Sequence, residues 1–362
     1  MSLKALLDAL PIPILQAPML GAAARDLALA VCGAGGLGAV AVSGMAPAEI
    51  EAEVAAVRRE VQGPFAANLF VLRPIAAEPE AVEAALERLR PWYEAVGEPL
   101  PQAPNADAPD FDAQFAALVR AAPPIASFTF GVLQPNEVAA LHSVGVFVVG
   151  TATTVAEARA WAAVGADGIC AQGAEAGGHR GHFLADVEAS LVGTLALVPT
   201  VRQAVDLPVI AAGGIMDGRG VAAALALGAD AVQMGTAFLL SDQSTISAPW
   251  RAALQSTSDD PTRLTRAFTG RHARGLENRF MREMRPVEGE VPAYPVQNRL
   301  TQPLRAAAAA AGEADLISLW AGQGVRLAEG DDAGEMVKRW WREAGEAAQA
   351  LAARTAGRGT GD

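Results

Sequence analysis

The sequence is poor in cysteine, histidine and aromatic residues. Its 362 residues include two Cys and four His, and 5 % are aromatic. Cys32 and Cys170 have no CxxC spacing, so they supply neither a disulfide framework nor a zinc site. Each lies in an apolar stretch, where a thiol serves as a small hydrophobic side chain. A reducing, cytoplasmic location is therefore expected.

Positive charge and long apolar runs are also scarce. The chain has 28 Lys and Arg against 40 Asp and Glu, a net charge of −12, which disfavours general binding of nucleic acid or of an anionic membrane surface. No uninterrupted apolar run is long enough to span a bilayer. The N-terminus lacks the basic start and apolar core of a signal peptide. We therefore expect a small-molecule partner and no membrane, and we leave a homodimer open.

Several common catalytic motifs are missing. The sequence has no Gly-x-Ser-x-Gly, no Walker loop and no Gly-x-Gly-x-x-Gly after its first strand. His179 and His182 lie three residues apart, but neither a carboxylate nor a third histidine accompanies them at a recognisable ligand spacing. No metal site is therefore expected. We interpret His142, on a predicted helix, as structural and His272, among arginines, as exposed.

Apolar runs alternate with Ala-rich helical patterns over most of the chain. The runs are almost continuously apolar, as in parallel strands that are covered on both faces. We predict strands at 12–19 (with its exit loop), 37–43, 65–70, 125–131, 146–151, 167–172, 208–213 and 231–236. We predict helices at 47–60, 80–93, 135–142, 154–163, 191–205 and 218–226. This number and spacing of units match an α/β fold, the (β/α)₈ or TIM barrel.

Two stretches depart from the alternation. Between the third and fourth strands, Pro99, Pro101, Pro104 and Pro109 predict two helices joined by a proline-rich surface loop. The loop is either a lid or a tolerated insertion, and we favour the insertion. Beyond residue 236 no strand periodicity is visible, and helical patterns occur at 306–311 and 334–354. We predict a barrel at residues 1–240 and a mostly helical region at 241–362 that covers the mouth of the barrel.

The most informative loop follows the sixth strand. That strand ends at Gln172, and Gly177, Gly178 and His179 come next in a glycine-rich loop. Parallel barrels place their chemistry at the carboxyl ends of strands. Glycine lets the backbone approach a flat ligand closely, and histidine exchanges protons near neutral pH. The loop is therefore either a functional site or only a tight turn with an incidental histidine.

Glycines also follow the seventh and eighth strands. Gly213, Gly214 and Gly235 allow the backbone to close around an anion, and Thr236 adds a hydroxyl. In barrels these two loops often bind phosphate through backbone N–H groups. Plain turn chemistry is the alternative, and we favour phosphate binding.

Two polar side chains near strand ends are consistent with the binding of a flat, heteroaromatic ligand. Asn68 and Gln172 are polar residues that close apolar strands, and each needs a partner when buried. The edge of a heteroaromatic ring would supply one. Met19, after the first strand, either packs the top of the barrel or lies against such a ring.

Together these motifs resemble the nitronate monooxygenase family, formerly called 2-nitropropane dioxygenases. In the barrel the resemblance is carried by residues 16–19 (QAPM), 150–154 (GTATT), 172–181 (QGAEAGGHRG), 213–215 (GGI) and 233–236 (QMGT). Beyond the barrel it is carried by residues 268–271, 273–275, 278–280, 294–295 and 320–323. The resemblance implies an FMN-dependent TIM barrel that oxidises alkyl nitronates with O₂ to a carbonyl compound and nitrite. It also implies that His179 is catalytic, either as a general base on the carbon next to a neutral nitro group or as a hydrogen-bond donor to an anionic nitronate. The candidate cofactor-binding residues are Met19, Asn68, Gln172, Gly177, Gly178, Gly213, Gly214, Gln233, Met234, Gly235 and Thr236.

One position departs from the family pattern. The family often reads Ser-Phe-His-Phe-Gly after the fourth strand, and here residues 127–131 read Ser-Phe-Thr-Phe-Gly. Thr129 thus stands where a second active-site imidazole is common, which leaves the substrate open. Two alternatives remain: an FMN-dependent enoyl-thioester (enoyl-ACP) reductase that uses NAD(P)H, which resembles this family closely, and a barrel that binds a phosphorylated metabolite without redox chemistry.

Overall fold

The computed structural model describes residues 1–73, 78–102, 110–257 and 262–356. Its strands are β1 (Ile14–Gln16), β2 (Ala39–Ala41), β3 (Ala66–Phe70), β4 (Ile125–Thr129), β5 (Phe147–Ala152), β6 (Gly168–Gln172), β7 (Gly178–His179), β8 (Val209–Ala212), β9 (Ala231–Met234), β10 (Thr262–Thr265) and β11 (Ala273–Leu276). Its α-helices are α1 (Leu3–Asp8), α2 (Arg25–Gly33), α3 (Pro47–Glu60), α4 (Pro79–Val96), α5 (Phe111–Ala121), α6 (Pro135–Ser143), α7 (Val155–Ala163), α8 (Thr194–Ala204), α9 (Gly218–Ala226), α10 (Ala248–Gln255), α11 (Arg279–Met284), α12 (Val296–Ala311) and α13 (Ala333–Ala356). Short 3₁₀ turns include Thr236–Phe238, directly after β9.

Eight parallel strands form the barrel, in the order β1-β9-β8-β6-β5-β4-β3-β2. A parallel bridge between Leu15 and Leu37 joins β1 to the residues that lead into β2, so the row of strands curls into a ring. Gln16 reinforces this closure, because its Oε1 accepts a hydrogen bond from the backbone N–H of Ala39 at 2.9 Å. The predicted (β/α)₈ barrel is confirmed. Each predicted barrel strand overlaps one observed strand, whereas α1 and α2 were not predicted.

Apolar side chains fill the inside of the barrel, and α1 closes one end of it. Leu3, Leu6 and Leu7 of α1 share a buried cluster with residues from the barrel strands such as Ala66 and Cys170. A methyl group added to Gly168, at the start of β6, would lie 2.5 Å from the Leu3 side chain. α1 therefore covers the amino-terminal end of the strands and closes that end of the barrel.

The long connection between β3 and β4 contains two helices, as predicted. α4 packs against α12 of the C-terminal region in a second apolar cluster, and the Tyr93 hydroxyl donates to the Leu300 carbonyl at 2.6 Å. The part of the proline-rich loop that holds Pro104 and Pro109 lies outside the described residues. α4 thus supports the C-terminal region on one side, and α13 packs on α9 and α2 on the other.

Beyond residue 236, where the sequence shows no strand periodicity, the structure contains two further strands. β10 and β11 form an antiparallel sheet with β7, in which Ala273 pairs with His179 and Arg274 with Gly178. β10 and β11 are four residues long and carry arginines, so they show none of the apolar alternation by which a strand is recognised. Their pairing ties the histidine loop of the barrel to the C-terminal region. The proposed division at residue 240 stays a prediction.

No helix in the described ranges has the length and apolar character needed to cross a membrane.

Candidate active site

A cavity of about 660 Å³ opens at the carboxyl ends of the barrel strands. Its floor and sides come from the barrel, and residues 269, 294–305 and 320–324 of the C-terminal region complete its wall. Its size lies in the range of roughly 300–1,000 Å³ that is usual for cofactor and ligand pockets. The prediction that the C-terminal region covers the mouth of the barrel agrees with this lining.

Most of the predicted site residues meet in this cavity. Its lining includes Met19, Asn68, Gln172, Gly177, Gly178, His179, Gly213, Gly214, Gln233, Gly235 and Thr236. Met234 is not part of this lining, because its side chain is 1 % exposed and packs in the core between the strands and the helices. Successive side chains of a strand point to opposite faces, so Met234 points away from the cavity that its neighbour Gln233 lines.

One end of the cavity, here called the glycine end, is formed by Gly213, Gly214, Gly235 and Thr236. Gly213 and Gly214 have φ angles of 107° and 72°, which favour glycine. The loop that contains Gly213 and Gly214 is fixed by a hydrogen bond from the Thr194 hydroxyl to the Gly213 carbonyl at 2.8 Å. The polar groups that this end offers a ligand are therefore backbone groups and one hydroxyl.

Thr236 also connects the glycine end to the C-terminal region. Its hydroxyl oxygen accepts a hydrogen bond from the backbone N–H of Gly322 at 2.9 Å. A methyl group on Gly177 would lie 2.5 Å from the same nitrogen. The β9 loop, the histidine loop and residues 321–322 thus meet at van der Waals distance, which requires glycine at position 177.

Gln172 lines the cavity, but its amide serves mainly to hold the histidine loop. Its Nε2 donates to the His179 carbonyl at 3.1 Å, and its Oε1 accepts from Gly181 N at 2.8 Å and from Arg180 at 3.0 Å. The fully buried Arg180 guanidinium also donates to the carbonyls of Gln172, Gly173 and Ser190. These bonds fix the backbone on both sides of His179.

Asn68 and Thr129 lie close together on the neighbouring strands β3 and β4. Nδ2 of Asn68 donates to the Ser127 carbonyl at 3.1 Å and lies 3.5 Å from Oγ1 of Thr129. The Thr129 hydroxyl also contacts the Thr151 hydroxyl at 3.3 Å. Where the family often has an imidazole, this chain therefore presents a hydroxyl that is already engaged by its neighbours.

The other end of the cavity, here called the aromatic end, is formed by Phe70, Phe130, Tyr294 and Trp320 around His179. The centroid of the His179 ring lies 5.5 Å from that of Phe130 and 5.7 Å from those of Tyr294 and Trp320. Phe130 has a φ of 80°, which is rare outside glycine. This backbone conformation ends β4 and turns the ring toward the histidine.

His179 is uncharged at neutral pH in this setting. Burial lowers the pKa of His179 from 6.5 to about 3, and the positive charges of Arg271 and Arg305 act in the same direction. Its Nε2 lies 2.9 Å from Oγ1 of Thr269. A neutral imidazole has one bare nitrogen, which can accept a hydrogen bond or a proton.

Arginine supplies the charge of the cavity wall. Arg299 and Arg305 line the cavity, and within the described chain no Asp or Glu does. Burial lowers the pKa of Arg305 to about 10, which leaves it protonated at neutral pH. Its Nη atoms bond to Asn298 and Ser318, while its buried Nε has no partner among the residues that the structure describes. This wall favours an anionic ligand.

The remaining histidines lie outside the cavity lining. His142, at the end of α6, bonds to Asp167 at 2.9 Å, as a structural residue does. His272 is only partly exposed, contrary to the prediction, because its segment leads into β11 and its ring lies near the tilted ring of His182, with centroids 6.3 Å apart. The described residues contain no group of three or more His, Cys, Asp or Glu that could hold a metal ion.

Of the side chains that the C-terminal region contributes, the sequence singled out Tyr294 and Trp320 as aromatic rings that could form a wall of the pocket, but reasoning from the sequence missed Thr269 and Arg305. Thr269, Tyr294, Trp320 and Arg305 line the cavity but are 90 or more residues from His179 in the chain. The first three lie in stretches that resemble the family motifs, and this is the one signal that could also have singled out Thr269. Nothing local marks Arg305, which lies within α12.

A model of the nitronate monooxygenase family matches residues 3–343. The chain belongs to this family. It is 41 % identical over 317 residues to a probable nitronate monooxygenase of Staphylococcus aureus strain Newman, which covers 87 % of this chain and 89 % of that protein. Among solved structures, nitroalkane oxidase from Streptomyces ansochromogenes superposes with a TM-score of 0.89 at 44 % identity, over 96 % of this chain and 99 % of that one.

A more distant structural relative is FabK from Thermotoga maritima. It aligns with a TM-score of 0.75 at 28 % identity and covers 97 % of this chain and 98 % of its own. The family is flavin-dependent, and the chain is accordingly a flavin oxidoreductase. The resemblance drawn from the sequence motifs is confirmed.

Proposed function

We propose that this enzyme binds FMN and oxidises alkyl nitronates with O₂ to a carbonyl compound and nitrite. The transfer of electrons from the nitronate to O₂ is the chemistry that bound FMN supplies. The residues of the chain bind the reactants, keep water away from them and handle the proton. The assignments of His179 and of the cofactor-binding residues belong to this proposal.

The residues present fit a flavin mononucleotide. The glycine end offers backbone groups and the Thr236 hydroxyl to a phosphate. Gly213 has a φ of 107°, and a Cβ added at Gly177 would lie 2.5 Å from the Gly322 nitrogen, so both positions require glycine for the backbone to take this path around the cavity. Asn68 and Met19 line the same cavity and would contact the flat ring.

The charge of the aromatic end is the observation that carries the proposal. A neutral His179 lies beside Arg305 and Arg271, whose positive charges lower its pKa. The same charges stabilise an anion at that position. A nitronate is such an anion, and proton transfer from a neutral nitroalkane to His179 would create one beside them. The arrangement therefore suits both forms of the substrate.

A direct test mixes the flavin-loaded protein anaerobically with propionate 3-nitronate and follows the flavin absorbance. We expect the yellow colour to bleach and to return when O₂ is admitted, with release of nitrite. No bleaching under these conditions would contradict the proposal. Purification of a colourless protein that binds no FMN would favour the metabolite-binding alternative.

The same preparation distinguishes the reductase alternative. An enoyl thioester and NADH or NADPH are added, and oxidation of the nicotinamide is followed. We expect no enoyl-dependent oxidation. Rapid oxidation together with failure to consume the nitronate would replace the proposal with a reductase. A homodimer and a cytoplasmic location stay predictions.

A further inference from the structure

Thr269 contacts His179 from the C-terminal region and is 1 % exposed. It follows β10 in the turn that leads to β11, and β11 pairs with β7, the strand that contains His179. Oγ1 of Thr269 lies 2.9 Å from Nε2 of His179. The pairing of the two strands therefore holds the hydroxyl against one chosen nitrogen of the imidazole.

The bonds of the Thr269 hydroxyl determine which nitrogen of His179 carries the proton. A hydroxyl has one hydrogen to donate and can accept two hydrogen bonds. Here Oγ1 donates to the Arg271 carbonyl at 3.1 Å and lies 3.4 Å from the backbone N–H of Arg271, which donates to it. Its only hydrogen is then used, so the imidazole must donate to it from Nε2.

The opposite assignment leaves a carbonyl without a partner. If the Thr269 hydroxyl donated to Nε2, the Arg271 carbonyl would lose the hydrogen bond from Oγ1. Among the described residues no other donor to that carbonyl is present. Only the first assignment gives both the Arg271 carbonyl and the imidazole N–H a partner in the Thr269 hydroxyl, so the geometry favours it.

The other ring nitrogen faces the cavity. In the part of the chain that the structure describes, no group bonds to Nδ1 of His179, and Nδ1 is not among the buried polar atoms that lack a partner. It therefore has accessible surface, and His179 lines the cavity. We infer that Thr269 is a positioning residue that holds His179 as the Nε2–H tautomer and so directs the bare Nδ1 at the substrate.

This inference rests on the proposed role of His179 as a base, and its first test does not depend on turnover. The flavin-loaded protein is labelled with ¹⁵N-histidine, and the tautomer is read from long-range ¹H–¹⁵N correlations near pH 7.5. The spectrum of His179→Asn identifies the signals of His179. We expect the wild type to show a proton on Nε2 and none on Nδ1. A wild-type spectrum with the proton on Nδ1 overturns the inference, whatever the substrate is.

The second test compares three substitutions by kinetics with matched flavin content. Thr269→Val removes the hydroxyl at nearly constant volume, and Thr269→Ser keeps the hydroxyl. Thr301→Val is the matched control, because the buried Thr301 hydroxyl donates to the neighbouring Phe268 carbonyl but does not contact His179. All three remove either a methyl group or a buried hydroxyl from the same part of the C-terminal region.

We expect Thr269→Val to lower kcat for a neutral nitroalkane about tenfold or more, as part of the roughly 10²–10⁴-fold effect of a positioned base. Oxidation of the preformed nitronate should fall much less, and Thr269→Ser and Thr301→Val should stay within about threefold of the wild type. Equal losses on both substrates, or no rescue by serine, would overturn the inference. If Thr269→Val does not fold, the wild-type and Thr269→Ser spectra still decide the tautomer. Failure of every form to oxidise either substrate would instead refute the proposed function.

Discussion

The two ends of the cavity are built in different ways. The glycine end comes from two loops that directly follow neighbouring barrel strands, and its polar groups belong mainly to the backbone. The aromatic end combines residues at or just after the ends of three barrel strands, namely Phe70, Phe130 and His179, with side chains from three separate stretches of the C-terminal region. The first end depends on local backbone geometry, and the second depends on how the C-terminal region packs on the barrel.

Because of this difference, we expect the glycine end to determine cofactor binding and the aromatic end to determine which reaction takes place. Backbone groups at a glycine-rich loop can hold a phosphate whatever chemistry follows. The neutral His179, with its aromatic neighbours and Arg305, sets the charge and the polarity where the substrate would react. Substitutions at the glycine end should therefore change cofactor affinity, whereas substitutions at the aromatic end should change turnover with the flavin content unchanged.

The largest expected effect is that of His179→Asn at the aromatic end. Asparagine keeps some hydrogen bonding but cannot take up a proton, so turnover of a neutral nitroalkane should fall by roughly 10²–10⁴-fold. Oxidation of the nitronate, which has already lost its proton, should fall less. The measurement is steady-state O₂ consumption at equal flavin content. His142→Asn is the matched control, since His142 bonds to Asp167 and does not line the cavity. Wild-type activity of His179→Asn on the neutral substrate would contradict the role.

The same division explains how much could be predicted from the sequence. The barrel and the glycine end were predictable, because strand, helix and turn patterns act over short stretches and Gly213 and Gly235 directly follow apolar runs. Pairing between β7 and β11 joins residues about ninety positions apart and leaves no periodic signal in four-residue strands. The contact of Thr269 with His179, and the place of Arg305, were for that reason out of reach.

Gly235→Asp tests the glycine end and should weaken FMN binding at least tenfold. Like charges at about 4 Å repel by roughly 1–4 kcal/mol, depending on the local dielectric. A side chain fits at this position, because an added methyl group would lie 3.4 Å from Ala17 and 3.5 Å from the Met19 sulfur. Gly235→Asn is therefore the matched control, with the same shape and no charge. Flavin affinity is measured by fluorescence titration of the apoprotein.

If the aspartate and asparagine variants lose affinity equally, bulk rather than charge is responsible. Full flavin occupancy of Gly235→Asp after purification would show that the phosphate binds elsewhere. The turnover of whatever fraction retains FMN should be close to that of the wild type. A loss of turnover per bound flavin would contradict the separation of the two ends.

Arg305→Met should raise the KM for a nitronate about tenfold, since a hydrogen bond to a charged group contributes roughly 1.5–3 kcal/mol. Methionine fills similar space without the charge. The KM for a neutral nitroalkane should change less, and the flavin content should not change. Arg305→Lys, which keeps the charge but loses the fork that bonds to Asn298 and Ser318, should lie between the two. Equal effects of Met and Lys would assign Arg305 a packing role only.

The smallest expected effect is that of pH on the proton-transfer step. An ordinary histidine becomes protonated below about pH 6.5, and its activity as a base then falls about tenfold for each further pH unit. The pKa of His179 is lowered to about 3 by burial and by Arg271 and Arg305, so the neutral form persists through pH 5. We expect kcat/KM for a neutral nitroalkane to stay nearly level between pH 8 and pH 5. An acid limb with a midpoint near 6.5 would instead mean that His179 titrates like a solvated side chain.

Removing the positive charge of Arg305 should raise the pKa of His179, so Arg305→Met should move any acid limb toward higher pH. An unchanged profile in Arg305→Met, together with a limb near 6.5 in the wild type, would show that the charges of the aromatic end do not act on His179.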